Sequence, residues 1–445
     1  MALKPSPLSG FPELLPQEQI VFQRLLDSIR EGYELFGFSP IETPAVERKE
    51  VLTSKGGNEK EIYSLARLAG SEGANETEMA LHFDLTVPLA RYVAMHKENL
   101  TFPFRRYQMQ KVWRGERAQA GRYREFYQCD IDVIGRGKLS PLYDAEMPAV
   151  IYTIFRKMDI GKFVIRINNR RILKAYFEYV GVPNERAGDV LRSIDKLEKI
   201  GIDQVAKEIQ TSTLLDEETV SSMLMFLGTK RETDETLDFL KVQSFGDSSR
   251  ESVLELEAVV QSIRSLGVGE EYFVVDLTIA RGLDYYTGTV YETVLVDFPE
   301  LGSVCSGGRY DDLARFFTDE KLPGVGISIG ITRLAITLMK EGILKVGAST
   351  PASVLITSLE EAFLPKCFEM GKTLRDIGIK TEVYLEPGSL GKQLKYANKK
   401  GFPFVLILGQ QEIDDNVVQI KDMQTGQSVV KDINVLGEYL LGILG

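Results

Sequence analysis

Apolar side chains recur every three to four residues between 16 and 36, at Phe22, Leu25, Ile29, Tyr33 and Phe36, and this spacing predicts a helix. Pro16 suits its first turn and Gly37 stops it. The run FSPIETP, residues 38–44, reads as an extended strand closed by proline. A polar stretch rich in Gly and Glu, 54–78, reads as a loop or hairpin, and ordered text resumes over 79–95 and 102–135. From about 170 to 255 the pattern becomes long, amphipathic and charge-laced, as in 189–209 and 217–227, which predicts a helical unit without strands. Strand-like text returns at 272–275 and 287–296, and 324–341 reads as a Gly-punctuated strand turning into a helix.

After a linker at 347–351 the pattern alternates: strand 354–357, helix 361–377, strand 380–385, helix 389–400, strand 403–408. Such β-α-β-α-β alternation predicts a small parallel sheet. The chain is thus expected to hold an α+β domain over 1–345, with a helical insertion at about 170–255, and an α/β domain over 350–445.

A length of 445 residues fits two to three domains, and 44% hydrophobic with 26% charged residues is ordinary for a globular chain. The net charge of −11 excludes a generic basic nucleic-acid coat, although a local basic site stays open. Cys129, Cys305 and Cys367 are far apart and only His82 and His96 are present. A zinc ribbon, a disulfide framework and a Ser–His–Asp hydrolase are all poorly served by that inventory, and no metal-ligand set is read. The N-terminal run MALKPSPLSGFPELLP has four prolines and no apolar core, and apolar runs such as 404–408 are strand length. The expectation is a cytoplasmic protein with no membrane partner.

Against that acidic background, residues 104–124 (FRRYQMQKVWRGERAQAGRYR) carry six Arg and one Lys against one Glu. Arginine favours forked recognition of phosphate or carboxylate. Tyr107, Trp113, Tyr123, Phe126 and Tyr127 interleave with them, which suits a nucleotide's phosphate and base.

Trp113-Arg-Gly-Glu116 followed by Gly121-Arg-Tyr-Arg-Glu-Phe126 resembles the second signature motif of class II aminoacyl-tRNA synthetases. Arg281-Gly-Leu-Asp-Tyr-Tyr286 and Gly307-Gly-Arg-Tyr-Asp311 resemble the two segments peculiar to histidyl-tRNA synthetases. Residues 324–334 resemble motif 3, the helix and strand ending at Pro44 resemble motif 1, and 83–91 and 128–132 are similar to two further family blocks. The resemblance runs from about Gly10 to the C-terminus. It implies an antiparallel class II sheet with flanking helices, a helical insertion, and a C-terminal α/β anticodon-binding domain. It also implies activation of L-histidine by ATP with Mg²⁺, transfer to tRNA(His), and a homodimer. The alternative is a non-catalytic paralogue regulating ATP phosphoribosyltransferase in histidine biosynthesis; it typically lacks the C-terminal domain and an intact Arg-Gly-Leu-Asp-Tyr-Tyr block.

Residue roles carry over by the same resemblance. Arg114 and Arg281 are the catalytic arginines, gripping the α-phosphate and the substrate carboxylate from opposite sides. Glu116, Phe126 and Arg333 join Arg114 on ATP, with adenine between Phe126 and Arg333. Asp84, Leu85, Thr86 and Gln128 lie where the α-amino group is held. Asp132, Tyr285 and Tyr286 lie around the imidazole, whose two nitrogens need a donor and an acceptor. Arg117, Gln119 and Arg122 in the motif 2 loop, and Lys392, Lys395 and Lys399 on one face of the 389–400 helix, are candidates for tRNA. Departures from the family pattern at His82, 10–13 and 117–121 bear on acceptor-end contacts and packing, and His82 itself reads as a packing or hydrogen-bonding residue.

Overall fold

The computed structural model describes residues 5–54, 59–67, 78–117, 121–194, 196–243, 245–279, 286–312 and 314–444. It divides into two compact units, one formed by 1–12 with 25–343, the other by 13–24 with 344–445.

The first unit is built on a sheet of eight strands among the described residues. The strands Phe104–Trp113, Glu125–Ile134, Gly324–Ile329, Ser303–Tyr310, Thr289–Leu295 and Phe163–Asn169 lie side by side in that order, each antiparallel to the next. Ser39–Pro40 and Phe273–Val275 add parallel edges at the two ends. Of the predicted 38–44 strand only that dipeptide is a strand, and the Ile41 N–H adds one further bond to the Tyr107 carbonyl at 3.0 Å.

The helix Pro16–Leu35 closely matches its prediction, and it buries Ile29 and Tyr33 completely. The Tyr33 hydroxyl donates to the Cys129 carbonyl at 2.7 Å, tying helix to sheet. The helix Leu142–Met158 packs on the same sheet through Asp144, Met147, Ile151 and Ile154, all fully buried. Between Phe163–Asn169 and Phe273–Val275 the described residues form helices and no strand, as the pattern predicts. The amphipathic stretch 189–209 forms parts of three helices, Ala187–Ile194, Leu197–Ile200 and Ile202–Thr213. Gly201, at φ +80°, takes a left-handed turn that a helix interior cannot contain.

In the second unit Thr381–Val383, Val354–Ile356 and Phe404–Ile407 are parallel, as predicted. An antiparallel pair, Val417–Asp422 and Ser428–Asp432, widens this sheet to five strands. The helices Leu364–Asp376 and Leu390–Lys400 flank it, over a core that includes Val354, Ile356, Met370 and Leu406.

Candidate active site

Side chains alternate across a strand, so parity sorts the central strand Glu125–Ile134 into two faces. Phe126, Gln128, Asp130 and Asp132 share one face. In the adjacent strands Asp130 stands opposite Gln108 and Ser328, and Asp132 opposite Arg106 and Gly326. The other face meets the helix Leu142–Met158. There Arg309 donates to both carboxylate oxygens of the fully buried Asp144 (2.6–3.0 Å) and to the carbonyls of Leu139 and Ser140.

A cleft of about 420 Å³ opens over the first face. Of the residues read from sequence, Asp84, Thr86, Arg114, Glu116, Arg122, Phe126, Gln128, Tyr286 and Arg333 line it. They come from widely separated parts of the chain, which the sheet order brings together. Arg281, Tyr285 and Gln119 lie outside the described residues. Leu85 is fully buried and Arg117 is exposed, and neither lines the cleft. Lys392, Lys395 and Lys399 belong to the second unit, exposed on Leu390–Lys400 opposite the buried Gln393 and Ala397.

The basic run 104–124 does not act as one positive field. Parity sends Arg105 to Glu146 (2.9 Å) and the Phe36 carbonyl, while Arg106 is fully buried on the opposite face, 2.5 Å from Asp132. Arg124 donates to the Glu116 backbone carbonyl at 2.9 Å, and Arg122 pairs with the Glu116 carboxylate at 3.2 Å. Glu116 therefore serves as counter-charge within the loop. Arg114 is the arginine of this run held inside the cleft wall: its Nε donates to the Phe83 carbonyl at 3.0 Å and its guanidinium lies 5.1 Å from the centre of the Phe126 ring. Arg333, at the start of the helix Ile331–Lys340, donates to the Ser303 carbonyl.

Asp84 accepts from the Val87 N–H at 3.1 Å, so it caps the helix Thr86–His96 as well as facing the cavity. Gln128 donates to Ser328 at 2.9 Å, and its Oε1 is a buried acceptor without a donor among the described protein atoms. Glycines make the depth. A Cβ at Gly326 would come within 2.1 Å of Asp132 Oδ1, and one at Gly308 within 2.9 Å of the Tyr286 ring. Asp132 and Tyr286 thus lean in over adjacent glycines of neighbouring strands.

Asp132 does not itself line the cleft, and it is already engaged: Arg106 approaches Oδ2 and the Tyr310 hydroxyl donates to Oδ1 at 2.8 Å. Arg106, Asp130, Tyr310 and Ser328 were not read as site residues from sequence. Their signal was there in part, in the two aspartates at alternate positions of the strand Glu125–Ile134, but register alone puts them together with Arg106. His82 is buried, its Nε2 2.7 Å from the Lys111 carbonyl, and its ring stacks on Trp113 at 5.5 Å. Burial holds its pKa below the usual value, so it is a neutral packing residue.

A family model described as histidyl-tRNA synthetase matches residues 10–334, and one described as an anticodon binding domain matches 353–442. A histidine–tRNA ligase of Clostridium tetani is 48% identical over 428 residues, covering 95% of each chain. The crystal structure of histidyl-tRNA synthetase from Nostoc sp. PCC 7120 superposes with a TM-score of 0.91 at 44% identity, covering 99% of this chain and 100% of that one. A Bacillus halodurans structure titled as an ATP phosphoribosyltransferase regulatory subunit/histidyl-tRNA synthetase shares the fold at 20% identity, with a TM-score of 0.72 over 89% of this chain. With the cleft built from the same blocks that the family model spans, the chain belongs to the histidyl-tRNA synthetase family.

Proposed function

We propose that this cleft performs both steps of histidine–tRNA ligation. The observation that carries the reading is the cleft itself, which Asp84, Thr86, Gln128 and Tyr286 line together with Arg114, Phe126 and Arg333. Asp84 and the open Oε1 of Gln128 take the α-ammonium group. Tyr286 and Asp132 bound the imidazole. The carboxylate attacks the α-phosphorus of ATP and pyrophosphate leaves. Two anions meet in that step, so Arg114, with Arg281, supplies the positive charge beforehand. Phe126 and Arg333 hold the adenine. The tRNA 3′-terminal hydroxyl then takes the acyl group.

The described residues hold no group of three or more His, Cys, Asp or Glu side chains arranged for an ion. Mg²⁺ fits here as a companion of the ATP phosphates, where it neutralises part of their charge. Arg122 and Arg117, exposed at the loop, and the exposed Lys392, Lys395 and Lys399 are offered to the tRNA backbone. A homodimer is proposed, supported by exposed Met79, Met95 and Phe316 near the segment that resembles motif 1. The setting proposed is the cytoplasm; no helix of the described residues is long and apolar enough to cross a membrane.

The test is amino-acid-dependent exchange of pyrophosphate into ATP, followed by charging of tRNA(His). Histidine alone should support exchange. Exchange driven equally by another amino acid, or none with histidine, would overturn the reading.

Asp132→Asn sharpens it. The isosteric amide removes a negative charge from just behind the imidazole site, and KM for histidine should rise roughly ten- to a hundredfold while KM for ATP stays near its starting value. Asp132→Ala is a poorer probe, since it also strands the buried Arg106 guanidinium, and the fold should suffer with it.

A further inference from the structure

Behind the cleft wall lies more negative charge than one imidazole acceptor requires. Asp130 and Asp132 are each 3% exposed, and the cation that acts on both is the fully buried Arg106, which contacts Asp132. Asp132 uses both oxygens, on Tyr310 and Arg106. Asp130 accepts from the Ser328 hydroxyl, and its Oδ1 is buried without a donor among the described protein atoms. Arg106 likewise keeps Nε and Nη1 buried without acceptors. The rung that holds Asp130 continues directly into the cleft wall: Gln108, Asp130, Ser328 and Ser306 are consecutive cross-strand partners, and both serines line the cavity.

We propose that this pocket takes the substrate's side chain as a protonated, cationic ring, and that Asp130 is the residue that sets this requirement. The inference rests on reading the cleft as the histidine site. Two carboxylates sharing one guanidinium leave one net negative charge out of water, and a buried charge is tolerated only when it is paired. A neutral imidazole leaves that charge unpaired. An imidazolium, or equivalently a neutral ring beside a protonated Asp130, balances it. Either way the assembly of ring and two carboxylates holds one proton more than its parts hold separately at pH 8. Asp130 acts as a positioning residue: its charge is the one that Arg106, in contact with Asp132, leaves unpaired.

The other groups facing Asp130 do not supply that proton. Burial pushes the thiols of Cys129, on its own strand, and Cys305, on Ser303–Tyr310, well up, and does the same to the phenols of Tyr310 and of Tyr33 on the helix Pro16–Leu35, so all four are neutral. Asp84, ahead of the helix Thr86–His96, is a third carboxylate nearby, and the substrate's α-ammonium answers it. Burial, opposed by Arg106, raises Asp130 to about 7 and Asp132 to about 6. Above those values the carboxylates ionise and a free imidazole is neutral. Under the proposal, histidine binding at pH 8 draws a proton from solvent.

The experiment is calorimetric titration of L-histidine into the full-length chain at pH 8, repeated in buffers of different ionisation heat. The expected result is uptake of close to one proton per histidine, with Kd rising close to tenfold between pH 7.5 and 8.5. In Asp130→Asn, which keeps side-chain volume, uptake should fall near zero and the pH dependence should flatten, with ATP binding retained. Wild-type binding without proton uptake, or equal uptake in Asp130→Asn, overturns the proposal. The wild-type measurement decides alone if the variant does not fold. Absence of any histidine binding overturns the reading of the cleft itself, and this proposal with it.

Discussion

Arg114→Ala is expected to lower the rate of histidine-dependent pyrophosphate exchange by about 10²–10³-fold, the usual cost of removing one preorganised donor from a developing anion. The side chain is well placed for so large an effect. It is anchored from one side by the Phe83 carbonyl and lies over the Phe126 ring, so its charge is aimed into the cleft before substrate arrives. Little reorganisation is left for the reaction to supply. The fold should survive, because Arg114 is only half-buried and its anchor is a carbonyl already on the cleft wall. Arg281→Ala should act in the same direction on the strength of the family resemblance. Pre-steady-state measurement of adenylate formation separates these variants from ones that slow transfer to tRNA. A near-normal exchange rate in Arg114→Ala, with histidine binding intact, would remove the arginine from the chemical step.

Asp144→Ala should do the opposite: unfold the first unit without touching a single group proposed to meet substrate. Asp144 is fully buried and takes Nε and Nη2 of Arg309, itself 3% exposed. Deleting the carboxylate leaves a guanidinium out of water with only carbonyl partners, and breaking a buried pair from one side costs about 3–5 kcal/mol. The two carbonyl contacts of Arg309, to Leu139 and Ser140, put the figure toward the lower end. Arg309 lies between Gly308, against which Tyr286 packs, and Tyr310, which donates to Asp132, so what stays folded should also hold histidine poorly. Urea unfolding followed by far-UV circular dichroism, with the second unit's transition as internal reference, measures the loss. A midpoint unchanged from wild type would show that the pair contributes nothing to the native state.

Much of this protein is legible along the chain because its elements are local. The helix Pro16–Leu35 declares itself by spacing, a proline at its start and a glycine past its end, and the strands and helices of the second unit alternate at lengths that only a parallel sheet accommodates. Arg114, Phe126, Gln128 and Arg333 were legible because each sits in a short run that resembles a block of the family, and all four line one cleft. The antiparallel pair at the end of the second unit left a weak signal, since exposed residues such as Val429 and Val430 carry no inside-outside alternation.

What the chain does not show by itself is which charges cancel. Residues 104–124 read as a single positive patch, yet strand parity turns Arg105 toward Glu146 and Arg106 toward Asp132, and the loop folds Arg122 and Arg124 back onto Glu116. Parity is a local rule, but the partner on the far side is chosen by register between strands, and Asp132 meets Tyr310 from 178 residues away. The sequence by itself determined the elements, the family and the kinds of group that face the substrate. Only the tertiary structure decided that Asp132 meets a buried guanidinium with the buried Asp130 beside it, because burial and pairing, which set the charge a pocket can tolerate, are properties of neighbours in space rather than along the chain.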